Sequence, residues 1–515
     1  MQNILTFFLN CCILLSNKMW GGNVNVSLET LITNVSRYNI SGIDKIKKAY
    51  EYAKLKHAGQ YRESGEEYIT HPLAVAIILA RLNADTDTIC AGLLHDVIED
   101  TNATKEDIAA EFGESVAILV MGVTNLTKMS ISDKNSLNNA NLRKLILGMT
   151  KDVRILIIKL ADRLHNMMTL QYKKNPEKQQ RKSLETFDIY VPIAENLGLY
   201  SVKNDLEDKC FMFLMPDKYY KVEEERKSIE ESTSKMVQEV ITKINDILTD
   251  NNIPNTVKFR LKNIYGIFKS LFSNDSLEDI HDLLAFKIIL DDIDDCYLSL
   301  KYIHSEYKPL TNYFQDYISW PKSNNYQALH TTVLGPDRKI LQMQMKTAKM
   351  EKISEYGITD YWHGDDKTGF IEMQKALKTE YPFFQSVIEA NKLANNNQEF
   401  IDLIKGEVFA EKVSVFTMDG KVINDLAKGS TVIDFAYRIH SEIGEHAVAA
   451  IVNGESVSFD YTLKDGDQIR IITDELALGP THEWLKYAKT ARARKKIREF
   501  LNKQKRNGQS RTRSL

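Results

Sequence analysis

The sequence predicts a multidomain chain: an all-α domain, then an α/β domain with a mixed sheet, then a small α+β domain. Three observations support this fold class. The chain has 515 residues, too many for one hydrophobic core, since domains usually run to about 100–200 residues. Helical periodicity dominates residues 42–215, and strand patterns begin only after residue 256. Their order along the chain therefore separates a helical part from mixed parts.

The first domain is predicted from apolar residues that recur at three- and four-residue spacing, as in "DVRILIIKLADRLHNM". This spacing is typical of helices that bury one face. A charged stretch, "KYYKVEEERKSIEESTSKMVQEVITKIND" (218–246), predicts a long exposed helix that leads out of the domain. We therefore expect the all-α domain over residues 27–215.

Two later segments predict the mixed domains. "LLAFKIILDD" (283–292) and "RKILQMQMKT" (338–347) indicate strands, the second by strict alternation, with helices around them. From about residue 411, short strands surround one helix, and Asp419–Gly420 predicts a hairpin turn. The expected domains are 216–400 and 411–475, followed by a basic helical tail over 476–515.

Composition narrows the class of protein. Hydrophobic residues make up 43% and charged residues 27% of the chain, as in globular proteins, and the net charge of −3 argues against a polyanion binder overall. Residues 486–515, however, carry twelve Lys or Arg and one acid, Glu499. This tail predicts either contact with nucleic acid or the ribosome, or a solvated and frayed helix end. Five scattered cysteines without a C-x-x-C motif favour a reducing cytoplasm and argue against a cysteine zinc site.

The N-terminus contains an apolar run, "ILTFFLNCCILL" (4–15). It is shorter than the ~20 apolar residues that span a bilayer. It also lacks a preceding basic residue and a small-residue cleavage site, so a signal peptide is not favoured. We expect residues 1–26 to be an N-terminal extension with little role and no membrane contact, with true initiation at Met19.

The stretch "AGLLHDVIED" (91–100) raises the possibility of a metal site. On one continuous helix, His95, Asp96, Glu99 and Asp100 would lie within about 140° of the helical wheel, backed by an apolar stripe. Such a face offers an imidazole and three carboxylates. The alternative is the polar side of an ordinary surface helix.

Two further motifs could complete a ligand set. "YITHP" places His71 at the start of a helix, and "KLADRLHNM" places Asp162 on one face with His165 and Asn166. Two imidazoles with two carboxylates suit Mn, Fe, Co or Zn, and a metal with open positions would activate water, most naturally for hydrolysis of a phosphate ester. Taken singly, each residue also has a structural explanation; Asp162, for example, could cap a helix or pair with Arg163.

Several motifs together resemble one known family. "HAGQYRESGEEYITHP", "AGLLHDVIEDT", "VMGVTNLTK", "IKLADRLHNM" and "ETFDIYVPIAENLG" are similar to successive landmarks of the HD domain in RelA/SpoT homologues, which make and degrade the alarmone (p)ppGpp. The resemblance extends from about residue 45 to about residue 500. It implies an HD hydrolase domain, a nucleotidyltransferase-like synthetase domain and a β-grasp TGS domain, and it favours the metal site over the alternatives.

The resemblance also implies roles for the residues of the first domain. The positions that match manganese ligands are His71, His95, Asp96 and Asp162. Glu99 and Asp100 match the pair that orients the attacking water. Arg62, Ser64 and Asn166 match substrate contacts. Three departures, Glu63, Met168 and Asn196, stand where basic residues are usual; this loss of positive charge is expected to weaken affinity for a polyanionic substrate.

In the second domain, the resemblance implies transfer of pyrophosphate from ATP to the 3′ hydroxyl of GDP or GTP. Asp282 matches the Mg²⁺ ligand and Tyr326 the residue that stacks on guanine. The other matching positions are Arg260, Lys262, Lys322, Asn324 and His330. Gln342, however, stands at the position of the catalytic glutamate, and an amide is not a general base; such a loss typically costs about 10²–10⁴ in rate.

Further departures in this domain agree with a lost activity; they are Gly266, Ser270, Lys287, Tyr361 and "YFQD" (313–316), which has no basic residue. Lysine at 287 does not replace an arginine that binds phosphate through two hydrogen bonds. We predict a degenerate synthetase site, for which Mg²⁺ would matter only if activity survives. In the third domain, His440 of "DFAYRIHSEIG" matches a position that contacts tRNA, although a structural histidine would fit as well.

Together these observations predict a cytoplasmic, Mn²⁺-dependent (p)ppGpp 3′-pyrophosphohydrolase with a degenerate synthetase domain. Its partners would be guanine nucleotides (ppGpp, pppGpp, GDP and GTP), with tRNA or ribosome contact through the third domain and the basic tail. A bifunctional enzyme with weak synthetase activity is the first alternative. A non-catalytic nucleotide- or tRNA-binding regulator is the second.

Overall fold

The computed structural model describes residues 26–124, 140, 143–144, 146–148, 152–272, 276–322, 324–362 and 366–512. The apolar run 4–15 and the end of "VMGVTNLTK" lie outside the described residues. The chain divides into two compact units. The first comprises Met1–Lys128 with Lys151–Glu380, and the second comprises Met129–Thr150 with Tyr381–Leu515.

The first unit begins with an all-helical region. Its α-helices are Leu28–Val35, Ile43–Lys56, Thr70–Arg81, Thr86–Leu94, Val97–Asp100, Lys105–Phe112, Glu114–Thr124, Val153–Met168, Pro176–Glu185, Val191–Asn196, Tyr200–Leu214 and Pro216–Asp250. A 3₁₀ turn, Leu170–Tyr172, and a π-helical turn, Thr186–Tyr190, lie between them. The helices Thr70–Arg81 and Val153–Met168 are buried on nearly all sides, as expected for central helices of a helical core.

Residues 91–100 do not form the single helix that the helical-wheel argument assumed. The helix Thr86–Leu94 ends before His95, and a short helix, Val97–Asp100, follows. Asp96 (φ −96°, ψ −8°) departs from regular helical geometry. The His95 ring bonds the carbonyl of Gly92, 2.8 Å away, one turn earlier. The break leaves the His95 side chain in the interior of the domain with Asp96 partly buried beside it, whereas Glu99 is half-buried and Asp100 is exposed.

The first unit ends in a mixed sheet. Its strands are β1 (Asn255–Leu261), β2 (Leu284–Leu290), β3 (Lys308–Pro309), β4 (Gln315–Asp316), β5 (Leu329–Leu334) and β6 (Ile340–Thr347). Their order is β1-β2-β6-β5-β3, with β4 beside β5. Only β2 and β6 pair in parallel. Flanking helices are Ile264–Ser270, Ile293–Glu306, Ala348–Tyr356 and Asp366–Thr379, with a 3₁₀ turn at Gly357–Tyr361.

The second unit contains a five-stranded mixed sheet. Its strands are β7 (Lys412–Thr417), β8 (Val422–Ala427), β9 (Ala447–Val452), β10 (Glu455–Val457) and β11 (Gln468–Thr473), in the order β10-β9-β11-β7-β8. The α-helices are Pro382–Leu393, Asn397–Leu403, Val432–Ile439, Ser441–Glu445, Trp484–Tyr487 and Ala491–Thr512. Gly420 (φ +82°) lies in the turn between β7 and β8. The structure confirms the predicted order of an all-α region, a mixed-sheet region and a small α+β region along the chain.

The basic tail is not simply a frayed helix end. Ala493, Ile497 and Leu501 bury one face of the helix Ala491–Thr512 against Ile433 and Tyr437. The apolar face is covered, while Arg494, Arg498 and Lys503 remain exposed. Among the described residues, no helix combines the length and apolarity that crossing a membrane requires.

Gly357 joins the helical region to the mixed-sheet region of the first unit. Its backbone (φ +56°, ψ −133°) is unfavourable for any residue with a Cβ, and such an atom would lie 2.3 Å from the Leu197 carbonyl oxygen. We expect Gly357→Ala to destabilise the protein by at least about 1–3 kcal/mol from backbone strain alone. Gly406→Ala, where a Cβ meets open space, is the matched control. Equal thermal midpoints for the two variants would contradict this close approach.

Asp205, in the helix Tyr200–Leu214, introduces a pH dependence of stability. Burial, aided by Asp208, raises its pKa to about 8, and its Oδ2 has no hydrogen-bond partner among the described residues. Between about pH 4, where an unfolded aspartate titrates, and pH 8, the folded chain holds a proton that the unfolded chain has released. Stability should therefore fall as pH rises through this window. The difference in thermal midpoint between the two ends of the window should be smaller in Asp205→Asn than in the parent, and unchanged in the exposed control Asp250→Asn.

Candidate metal centre and nucleotide pocket

Three segments of the helical region bring a candidate metal site together. His71 lies in the first turn of the helix Thr70–Arg81, His95 and Asp96 lie at the helix break, and Asp162 lies within the helix Val153–Met168. Ligand atoms of His71, His95 and Asp162 all lie within 4.8 Å of one another, and the three residues are buried. Asp96 Oδ1 is 3.2 Å from His95 Nε2, and Asp96 Oδ2 is 3.6 Å from His71 Nε2. The four predicted ligands thus form one cluster.

The hydrogen bonds of the two imidazoles suit metal ligation. The Gly92 carbonyl can only accept, so His95 Nδ1 carries the proton of the neutral ring and Nε2 keeps its lone pair. His95 Nε2 is buried and makes no hydrogen bond among the described residues. His71 Nδ1 lies 2.7 Å from His165 Nδ1, so His165 can fix the orientation and tautomer of His71. Both Nε2 atoms then face the two carboxylates.

The electrostatics of the cluster favour a cation. Burial opposes a charge on His95, but Asp96 and Asp162 outweigh burial and raise the pKa of His95 to about 9. Burial also opposes the charge of Asp162, yet Lys159 and the two imidazoles hold its pKa well below the usual value. Burial lowers the pKa of His71, which keeps that ring neutral. The donor set and its charges fit a divalent ion.

Sequence reasoning missed two contacts of this centre. Lys159 Nζ lies 2.7 Å from Asp162 Oδ2; its position three residues before Asp162 on one helix could have indicated the pair. The Tyr68 hydroxyl lies 2.8 Å from Asp96 Oδ2 and 2.8 Å from Asp100 Oδ2. No sequence pattern signals this second contact, because it joins a loop to a helix break.

The predicted catalytic and substrate residues lie around the cluster. Asp100 is exposed and reaches Asp96 through Tyr68, and Glu99 is half-buried on the same short helix. The Arg62 guanidinium lies 3.4 Å from Asn166 Oδ1, and Asn166 in turn donates to Asp162. The structure therefore connects the predicted substrate contacts to the cluster.

Two neighbouring residues make other contacts. The Ser64 hydroxyl donates to Glu66, 3.3 Å away. Glu63, which departs from the family pattern, pairs with Lys173 at 2.9 Å. The carboxylate of Glu63 therefore neutralises the positive charge of Lys173 beside the predicted substrate loop. Asn196, another departure, donates to the Pro192 carbonyl and ends its own helix.

In the second domain, three of the predicted nucleotide residues form a cationic cluster around an aromatic ring. Tyr326 Oη lies 2.8 Å from His330 Nε2, and Lys322 Nζ lies 5.5 Å from the centre of the Tyr326 ring. Burial lowers the pKa of His330 well below the ordinary value, and Lys346, Lys322 and Arg260 lower it further. Such a cluster suits a polyanion with an aromatic base.

Other predicted residues of this domain make contacts within the chain. Lys262 Nζ lies 2.6 Å from both carboxylate oxygens of Asp282. Gln342 Oε1 accepts from Gln344 Nε2 at 2.6 Å on one face of β6. Asn324 donates to the Glu195 carbonyl and to Tyr200 Oη, both in the helical region.

His440 of the third domain is exposed, and its Nδ1 accepts from the Glu442 backbone, so it caps the helix Ser441–Glu445. His440 therefore has a structural role as a helix cap, and its ring is also accessible to solvent. Asp434 accepts from the backbone N–H groups of Lys489 and Thr490, which joins this domain to the basic tail.

The fold and the clustered histidines and aspartates define a class of multidomain protein that joins an HD-type metal centre to a mixed-sheet domain and a β-grasp module. Residues 49–200 match the HD domain, residues 259–367 match the region found in RelA / SpoT proteins, and residues 413–473 match the TGS domain. The chain belongs to the RelA/SpoT family, as its motifs predicted.

Three relatives show the extent of the similarity. The chain is 41% identical over 486 residues to the guanosine-3′,5′-bis(diphosphate) 3′-pyrophosphohydrolase of Aquifex aeolicus, covering 93% of this chain and 68% of the relative. It is 38% identical to the GTP pyrophosphokinase of Myxococcus xanthus, covering 92% of this chain and 62% of that protein. It is 39% identical to the bifunctional (p)ppGpp synthase/hydrolase SpoT of Escherichia coli, covering 90% and 66%. The chain thus spans about two thirds of the length of these enzymes.

Proposed function

We propose that this chain hydrolyses the 3′-pyrophosphate of (p)ppGpp in the cytoplasm, using Mn²⁺ held by His71, His95, Asp96 and Asp162. The observation that carries the proposal is the convergence of these four side chains from three segments, next to Asp100. The Aquifex relative is named for this reaction. A bound divalent ion would lower the pKa of a coordinated water and offset phosphate charge.

The chain's own residues would supply the remaining steps. Arg62 and Asn166, joined by a hydrogen bond, would hold the nucleotide. Asp100, exposed beside the cluster, would take a proton from the attacking water, with Glu99 helping to orient that water. Lys159 fixes Asp162 through their 2.7 Å ion pair. Glu63 and Lys173 form an ion pair at the substrate loop, which favours weak ground-state affinity for a polyanion.

The direct test is turnover of ppGpp by the purified chain with Mn²⁺, with Mg²⁺ alone and with a chelator. We expect GDP and pyrophosphate, separated by ion-exchange chromatography, only with Mn²⁺. If Mg²⁺ alone restored the turnover of ppGpp by the metal-stripped protein, the assignment of Mn²⁺ would be contradicted. Tight ppGpp binding without turnover under any condition would favour the non-catalytic alternative.

We further propose that the second domain retains a nucleotide pocket but has lost most synthetase activity. Tyr326, His330 and Lys322 remain clustered, whereas the base position holds Gln342 bonded to Gln344. ATP-dependent conversion of GDP to ppGpp, followed with radiolabelled ATP, distinguishes this from the bifunctional alternative. Rapid conversion of GDP to ppGpp with Mg²⁺ would contradict the proposed loss of synthetase activity.

For the second unit, we propose contact with tRNA or ribosomal RNA through the exposed cations of the helix Ala491–Thr512 and through His440. The covered apolar face of that helix leaves a fixed row of charges, which suits a phosphate backbone. Binding of tRNA should weaken steeply with salt, and the double substitution Arg494→Glu/Arg498→Glu should abolish it. Unchanged binding of tRNA by the double variant would contradict this proposal.

A further inference from the structure

Tyr68 connects two carboxylates that the proposed reaction assigns to different tasks. Its hydroxyl lies 2.8 Å from Oδ2 of Asp96 and 2.8 Å from Oδ2 of Asp100. A phenol has one proton to donate and an oxygen that can also accept. When Tyr68 donates its proton to one carboxylate, the other carboxylate can form a hydrogen bond with the Tyr68 oxygen only if that carboxylate is itself protonated and donates.

The phenol is held firmly in this place. The Tyr68 ring stacks on His57, with ring centres 4.6 Å apart and planes at 25°. His57 Nδ1 lies 2.7 Å from Gln60 Oε1, and Gln60 Nε2 donates to the Asp100 carbonyl at 3.0 Å. One loop therefore fixes both the phenol and the backbone of Asp100. Tyr68 cannot leave Asp100 without disturbing this network.

We propose that Tyr68 is a positioning residue for the hydrolase reaction: it orients Asp96 toward the metal and stabilises Asp100 after Asp100 has accepted a proton. This inference rests on the proposed function. Donation from Tyr68 to Asp96 Oδ2 leaves Oδ1, which lies 3.2 Å from His95 Nε2, directed into the cluster. The Tyr68 oxygen remains free to accept from a protonated Asp100.

The proton count of the step is closed. The water oxygen bonds to the phosphorus attached to the ribose 3′ oxygen, and the bond from phosphorus to that oxygen breaks. The water proton passes to Asp100, which then donates a hydrogen bond to Tyr68. The departing 3′ oxygen takes one proton from solvent, and Asp100 returns its proton to solvent before the next turnover, so that the net reaction consumes one water. Tyr68 itself exchanges no proton with the substrate.

The test compares Tyr68→Phe with Tyr61→Phe, an exposed tyrosine of the same loop that serves as control. Removing only the Tyr68 hydroxyl should lower kcat for ppGpp by about 10–100-fold, the usual effect of losing a hydrogen bond to a metal ligand, while KM changes little. Affinity for Mn²⁺, measured by electron paramagnetic resonance without substrate, should fall as well. Thermal midpoints check that both variants fold.

A double substitution separates positioning from a general structural effect. If the kcat loss acts through Asp100, Tyr68→Phe should cost much less in an Asp100→Asn background than in the parent, because the group it serves is already absent. Full additivity of the two losses would overturn the proposal. So would a Tyr68→Phe protein equal to Tyr61→Phe in kcat and Mn²⁺ affinity, or one changed only in KM. If the parent has no turnover, the proposed function fails, while the Mn²⁺ affinities still decide whether Tyr68 supports Asp96.

Discussion

Replacement of His95 by alanine is expected to lower Mn²⁺-dependent pyrophosphate release by at least about 10³-fold, because water activation by a bound ion is worth several kcal/mol of barrier. His95 supplies a buried Nε2 whose lone pair is set by the Nδ1 contact with Gly92. Steady-state turnover of ppGpp and Mn²⁺ binding by electron paramagnetic resonance should fall together.

His482→Ala, at an exposed histidine of the second unit, is the control for the loss of an imidazole as such. Retention of full turnover by His95→Ala would remove the metal centre from the reaction. A loss of turnover with unchanged Mn²⁺ affinity would instead assign His95 a role toward substrate. The thermal midpoint of metal-free His95→Ala should fall, because the substitution leaves the carboxylates of Asp96 and Asp162 without the imidazole that lies between them; turnover is therefore compared well below that midpoint.

Replacement of Gln342 by glutamate is expected to raise synthetase activity by up to about 10²–10⁴-fold, the usual contribution of a general base. The strand β6 is intact, and Gln342 already faces the pocket side with Gln344 and Lys346. Formation of ppGpp from GDP and radiolabelled ATP with Mg²⁺ measures the gain. On the proposed role of Asp282 as a Mg²⁺ ligand, its ion pair with Lys262 would have to open, so the gain should depend on Mg²⁺ concentration.

Gln344→Glu is the matched control, because it introduces the same charge two residues along the same face of β6. A gain in both variants would indicate a general electrostatic effect. No gain in Gln342→Glu would mean that the other departures, such as Gly266 and Lys287, are sufficient to disable the domain. A large activity already present in the parent would favour the bifunctional alternative.

Hydrophobic periodicity and short motifs predict part of the structure. The order of helical and mixed domains could be predicted because hydrophobic periodicity reports which face of each element is buried. Short motifs contain all four residues of the histidine–aspartate cluster, and the structure brings these residues together. Metal binding by the cluster and the roles of the surrounding residues remain predictions.

Other features depend on contacts between distant segments and could not be predicted. The break at His95–Asp96 arises from side-chain contacts with Gly92 and Tyr68, which a helical wheel does not contain. Asn324 lies in a nucleotide-binding motif, yet its amide donates to Glu195 and Tyr200. A motif specifies which residues are present, whereas their partners are set by packing over the whole domain.

The packing of the basic tail has a practical consequence for dissecting the protein. A fragment cut immediately after β11 would leave Ile433 and Tyr437 uncovered, because Trp484, Ala488 and Ile497 cover them in the chain. It would also leave the buried Asp434 carboxylate without the backbone N–H groups of Lys489 and Thr490. Such a fragment should aggregate, whereas one that extends through Leu501 should stay in solution; the smallest workable fragment of this module therefore includes part of the tail.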